Sequence, residues 1–439
     1  MRFPNLLATR RGRLAAFFLL YLTEGIPSGF TATAVATQMR RQGLSPAAIG
    51  SFIGVLYLPW AVKWAFGPFV DVLSSDRWGR RRTWILITQA MMVVTILAAM
   101  PVSFTTRLWL FTAIVFVHNV FSATQDVAID ALAVGVLRDD ERGLANGLMF
   151  GGQSIGIALG GSGVLLLTPW IGFKATFLFV AGLIALVTLL VPVPMQEPPT
   201  LGRPAWVGSR LRAIAREIRA FVRDTGRAFL GSRPAAFALL LALLPMGGYA
   251  LSLSLQSNLA VELGLDDRRI GFLGIASSAL GAAFCILGGW LSDRYGRRRT
   301  LALFIAGTTL PTLAMGIAMR HFGWIMPISP QAPNRPIPPH ELVSLFWALT
   351  LAYAVFNGLM YGVGTAIFMD VTTPAVAATQ FTGYMALCNL CYSYSATWQG
   401  IALERWGYPA TLTIDGLIGL VSIGVLPFMG RRGREPDRP

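Results

Sequence analysis

Apolar residues along this chain come in long runs, and the short gaps between the runs hold most of its charge. A helix needs about 20 mainly apolar residues to cross a hydrocarbon core of about 30 Å. Runs of that kind lie at approximately 14–36, 47–69, 83–103, 108–136, 143–167, 170–192, 234–260, 269–292, 300–319, 343–369, 380–402 and 409–429. The pattern predicts an all-α membrane protein of twelve transmembrane helices. The first run reaches helix length without a small-residue cleavage site, so it reads as a retained span and not as a signal peptide.

Internal repetition then divides the twelve. Asp76-Arg77-Trp78-Gly79-Arg80-Arg81-Arg82-Thr83 returns as Asp293-Arg294-Tyr295-Gly296-Arg297-Arg298-Arg299-Thr300, each copy following the second span of its half. Two parallel repeats of six helices are a common plan for secondary transporters, with the solute site near the membrane midplane. The expected organisation is a six-helix bundle at 1–200, a basic linker at 201–233 and a second bundle at 234–439.

Composition supports this plan and narrows it. The 439 residues are 54% hydrophobic and only 13% charged, too few polar side chains to cover a soluble domain of that size. A formal charge of +15 would suggest a nucleic-acid partner in a soluble chain. Here the basic residues sit between apolar runs, so the expected partner is the lipid bilayer and nucleic acid is excluded. Of the 36 basic residues, 26 fall in one set of loops together with both termini, 9 in the opposite set, and Lys63 lies inside a span. The positive-inside rule then places both termini on the cytoplasmic side of the inner membrane. Within the linker, Arg212, Arg216, Arg219 and Arg223 recur every three or four positions, which reads as a basic amphipathic helix on the anionic cytoplasmic leaflet.

A charge near the bilayer centre costs on the order of 3 kcal/mol on insertion scales, so ionisable residues within spans are functional candidates. The candidates are Glu24, Lys63, His118, Asp126, Asp130 and, at a helix end, Asp370. At 100° per residue, Asn119, Asp126 and Asp130 share one face of the fourth span, with His118, Ser122 and Gln125 on the adjacent stripe. Asp126 is the nearer of the two aspartates to the midplane. Burial disfavours a charged carboxylate and a lysine neighbour favours it, so exchange of partner would load and release a proton. The competing reading is a structural salt bridge between the second and fourth spans. Glu24 sits in Thr23-Glu24-Gly25-Ile26-Pro27-Ser28-Gly29, where proline and glycine loosen the helix and freed carbonyls can line a cavity. His118 by itself reads as an interhelical contact, and the glycines from Gly147 to Gly161 read as close helix packing.

Gly289-x-x-x-Asp293-Arg294-x-Gly296-Arg297-Arg298 resembles the signature loop of the major facilitator superfamily. That resemblance implies a latch on the cytoplasmic side formed by Asp293, Arg294 and Arg297, and in the first half by Arg77 and Arg80 with either Asp71 or Asp76. In the first half, Gly67 and Asp71 have the required spacing, but five further residues precede Asp76. The segments Leu58-Pro59-Trp60-Ala61-Val62-Lys63-Trp64, Ala123 to Ala131, and Ala378-Thr379-Gln380-Phe381 resemble the AmpG-type muropeptide permease branch, a branch similar to siderophore importers and acetyl-coenzyme A transporters. The resemblance implies import driven by the proton-motive force, with Asp126 at the functionally important aspartate of helix four. Muropeptide permeases carry two further helices and siderophore importers do not, so both solute classes remain open.

No nucleophile set, metal set or cofactor loop has convincing spacing, and a nucleotide-binding Gly-rich loop is missing, which argues against an enzyme and against ATP-driven transport. Cys285, Cys388 and Cys391 all lie in apolar runs and read as packing residues. No cofactor or metal is expected. The expected function is a monomeric secondary active transporter importing a medium-sized polar solute with protons. The alternatives are a small-molecule exporter and a non-transporting membrane sensor or scaffold.

Overall fold

A computed structural model describes residues 5–73, 79–138, 140–197, 210–372 and 377–429. The molecule is 83% helical, with no strand among the described residues. Among the described residues, ten helices are long and apolar enough to cross a membrane. The first six are Arg10–Arg41, Pro46–Ala65, Arg80–Ala99, Leu108–Val136, Arg142–Ile171 and Phe173–Leu190. Asp267–Tyr295, Arg297–His321 and His340–Asp370 follow as the eighth to tenth.

Two local events account for the difference from twelve. The helix Ala377–Val425 is two spans joined through Gly407, whose φ of 75° is a left-handed conformation that glycine adopts without a Cβ clash. They are the eleventh and twelfth. The seventh span is interrupted, running as Arg233–Leu243 and then Ser254–Glu262, so neither piece alone reaches spanning length. The described residues therefore carry the expected twelve spans, six on either side of the Arg210–Leu230 helix.

Close contacts group the chain into two compact units. One comprises Met1–Gln38, Val62–Arg219 and Asp267–Gly274; the other comprises Met39–Ala61, Ala220–Asp266 and Ile275–Pro439. In the first unit, glycines of the fifth span bring it against the first. A Cβ on Gly156 would strike the carbonyl of Leu22, and one on Gly160 the carbonyl of Ile26. Without a hydrophobic force between helices in lipid, this backbone-level approach supplies the dispersion contact that holds them together. The second unit uses the same device where Gly50 of the second span meets Ala396 and Gly400 of the eleventh.

Arg210–Leu230 forms the expected linker helix. Its apolar side is partly taken up by protein. Ala213 and Ile214 are buried against Val72, while the Phe229 ring lies 4.8 Å from that of Tyr384 and Gln380 donates to the Ala228 carbonyl at 3.2 Å. Leu211, Val222 and Leu230 stay exposed.

Candidate functional site

In the first unit, the mid-membrane charges converge. Pro27 loosens the first span without ending it: the helix runs through, and the Pro27 carbonyl accepts the Thr31 hydroxyl at 2.8 Å. One turn before Pro27, Glu24 is fully buried, and neither carboxyl oxygen makes a well-formed hydrogen bond among the described residues. Its charged neighbours are Asp126, Asp130 and Lys63. Lys63 lies where the second span loosens after Pro59, and its Nζ donates to Asp126 Oδ2 at 2.6 Å. Tyr21, three residues before Glu24, donates its hydroxyl to Asp130 Oδ1 at 2.5 Å.

Access to this cluster is graded. Asp130 is exposed, the Lys63 side chain is 21% exposed and that of Asp126 5%, and Glu24 has no exposure. Along the fourth span Asp126 and Asp130 are separated by four residues, about 6 Å of rise. Ionising both buried acids, Asp126 and Glu24, against one ammonium would leave an uncompensated negative charge in a low-dielectric interior. The arrangement is therefore suited to taking up a cation, of which a proton is the smallest.

The remaining fourth-span residues divide. Asn119 is buried with 7% exposure. Gln125, expected on a polar cavity stripe, and His118, read as an interhelical contact, both have no exposure and point into helix contacts. Gln125 donates to Thr23 Oγ1 at 3.0 Å, and Gln89 donates to the same hydroxyl at 3.2 Å and accepts from Thr188 at 2.7 Å. His118 Nδ1 lies 3.0 Å from Thr95 Oγ1 and 3.2 Å from the Met92 carbonyl. These side chains join the first, third, fourth and sixth spans.

At the arginine-rich end, Asp71 pairs with Arg81 at 2.7 Å, and its carbonyl accepts from Arg80 at 3.3 Å. Glu197, beyond the sixth span, accepts the first-turn N–H groups of Arg81 and Arg82 at 2.8 and 3.1 Å, which caps the third span. Asp76 and Arg77 lie outside the described residues. In the second copy Arg297 reaches Asp370 at 2.6 Å and Asp293 at 3.5 Å, whereas Arg294 lies over the Trp290 ring at 5.6 Å.

Three groups escaped the sequence reading. Tyr21 carried a signal, its i, i+3 spacing from Glu24 on one helix face. Asp415 lies in the twelfth run, is 2% exposed, and belongs with the intramembrane acids by the same cost argument that selected Asp126. Arg40, read only as a loop cation, is 2% exposed and pairs with the fully buried Glu262, while also donating to the Leu44 and Ile328 carbonyls at 2.9 and 2.8 Å.

Twelve spans in two halves with an acid–lysine cluster inside the membrane define a secondary transporter. The chain belongs to the Major Facilitator Superfamily, whose family model matches residues 14–317 and 237–439. It is similar to the anhydromuropeptide permease of Escherichia coli strain K12, with 26% identity over 409 residues covering 90% of this chain and 75% of that protein. A Rickettsia felis protein designated AmpG 4 is 22% identical over 435 residues, covering 96% of this chain and 97% of its own. The xylose transporter XylE from E. coli superposes with a TM-score of 0.67 at 13% identity over 97% of this chain and 98% of that one, which shows the shared fold alone. The resemblance to the AmpG branch read from the motifs holds, and the chain is a multi-pass membrane transporter of a small-molecule solute, not an enzyme.

Proposed function

We propose that this chain imports a medium-sized polar solute, muropeptide-like or a siderophore, together with protons. It works as a monomer in the inner membrane with both termini cytoplasmic. The two bundles at 1–200 and 234–439 alternate access to the solute. The similarity to an anhydromuropeptide permease supports the solute class, and the arginine asymmetry supports the orientation.

The observation that carries proton coupling is the graded series from exposed Asp130 through Lys63 and Asp126 to fully buried Glu24. A proton taken onto the Asp126 carboxylate weakens its pair with Lys63, and release toward Asp130 restores it. Asn119, Gln125 and His118 hold the fourth span in register for this exchange. At the cytoplasmic end, Asp71 with Arg80 and Arg81 takes the latch role in the first half, with Asp76 and Arg77 between them in sequence. Asp293, Arg297 and Asp370 take it in the second, with Arg294 against Trp290.

Right-side-out vesicles with an acidic exterior test this, offered an anhydromuropeptide and a ferric siderophore in parallel. Wild-type protein accumulates one of them and alkalinises the medium, and D126N abolishes the solute-dependent proton uptake. Normal coupled uptake by a correctly inserted D126N protein overturns the coupling assignment. Accumulation only in inverted vesicles identifies an exporter, and no transport of any solute favours a sensor.

A further inference from the structure

The second unit holds a buried acid that proton exchange does not use. The seventh span leaves the helix between Leu243 and Ser254, and the N–H groups released there need acceptors inside the membrane. The twelfth span supplies them. Gly247, with φ of 95°, lies against Gly419 and donates its N–H to the Gly419 carbonyl at 3.3 Å. Three residues on, the Ala250 N–H donates to Asp415 Oδ2 at 2.9 Å, and the Gln399 amide donates to Asp415 Oδ1 at 2.7 Å. Both donors are neutral. Asp415 therefore closes the break as a fixed acceptor.

What the clamp holds in place is an aromatic wall. The Tyr249 hydroxyl accepts the Met246 N–H at 3.2 Å, and its ring lies 4.9 Å from that of Tyr392, which lies 5.5 Å from that of Tyr57. The Tyr353 hydroxyl is 3.0 Å from Ser252 Oγ, within the same break. Tyr57 and Tyr392 remain half-buried although each sits far from the ends of its span. No lysine, arginine or histidine occurs at 46–61, 234–261, 341–371, 380–403 or 408–429. A wall of tyrosine rings and hydroxyls without a cation suits an uncharged ring face edged by hydroxyl or amide groups, and suits a polyanionic chelate poorly.

We propose that Tyr57 and Tyr392, backed by the buried Tyr249, form the wall that binds the uncharged, ring-bearing part of the solute, and that Asp415 is the positioning residue that sets it. The inference rests on the transport reading. Asparagine at 415 can still accept the Ala250 N–H, and Gln399 can rotate to match it; alanine can do neither.

Uptake kinetics of an anhydromuropeptide and of a ferric siderophore are measured for Asp415→Asn, Asp415→Ala and Tyr392→Ala. For the solute that wild type carries, D415A and Y392A are expected to raise KM about tenfold with little change in maximal rate, and D415N to restore KM to within about twofold with an unaltered pH profile. A D415N protein that loses transport or shifts its pH profile overturns the positioning role in favour of a proton site, and an unchanged KM in Y392A overturns the wall. If wild type carries neither solute, the transport reading fails separately. The clamp is then read by maleimide labelling of Ser252→Cys, with Cys285, Cys388 and Cys391 replaced by alanine. D415A should change the labelling rate more than threefold and D415N should not; equal rates in all three overturn it.

Discussion

Replacing Lys63 by methionine removes the ammonium from the acid cluster and leaves the stem volume nearly intact. At 2.6 Å between Nζ and Oδ2, and an effective dielectric of about 20, the pair's Coulomb energy has an upper limit of about 6 kcal/mol. The 21% exposure of the Lys63 side chain lets water screen part of it. Breaking a buried pair by removing one partner costs about 3–5 kcal/mol, so K63M should lose about 3 kcal/mol of stability. D126N should lose less, because Asp130 and Glu24 remain near the orphaned ammonium. In K63M all three acids lack their cation. Unfolding of the four proteins of the double-mutant cycle in mixed micelles measures the coupling, with K63M/D126N expected about 2 kcal/mol more stable than the sum of the single effects. Additive losses, or a larger cost for D126N than for K63M, would refute the shared-cation account.

Two further outcomes follow from other parts of the fold. Arg13 donates to Glu141 at 2.6 Å, and that bond holds the Glu141 carboxyl below its ordinary range. Because the folded value is depressed, the stabilisation is complete above the unfolded value of about 4.3 and fades as pH falls through the folded value. Thermal melts of wild type and R13A should differ at neutral pH and converge as the pH falls below the depressed folded value; a constant difference across that range contradicts the assignment. Gly160→Leu places a side chain where the first span's backbone lies against the fifth. It should cost more than about 3 kcal/mol and leave little monodisperse protein in size-exclusion profiles, whereas Gly182→Leu, with open space around it, should behave as wild type.

The spans were legible because lipid leaves a helix no alternative to a long apolar run, and among the described residues nine of them stand as single helices close to the predicted limits, the eleventh and twelfth joining across Gly407. The interruption of the seventh was not, since Leu244-Pro245-Met246-Gly247-Gly248-Tyr249 is still apolar enough to read as continuous. Proline followed by paired glycines was the available sign, but what stabilises the break is Asp415, 165 residues away. Helical periodicity put Asp126 and Asp130 on one face correctly, yet it could not say which adjacent residues would meet neighbours. Gln125 and His118 went to Thr23 and Thr95 because those hydroxyls happen to pack opposite them. Arg40 looked like a loop cation because its position at a helix end carries no mark of burial. Its tertiary partners Glu262 and the Ile328 carbonyl reveal it.

The surroundings of Asp126 and Asp415 argue for different work from the same side chain. Asp126 faces a lysine on a loosened segment of the second span, and two further acids compete for that one cation. Such a set has several arrangements close in energy, so a single proton can shift the balance and a helix can move with it. Asp415 faces a backbone N–H and an amide, neutral dipoles fixed by the two spans that carry them. Nothing there competes for the carboxylate, and moving it would strand an N–H in a medium with no water to receive it. A group with rivals is suited to exchange and a group without them to hold geometry. On that ground we propose the proton for the first unit and the shape of the solute wall for the second.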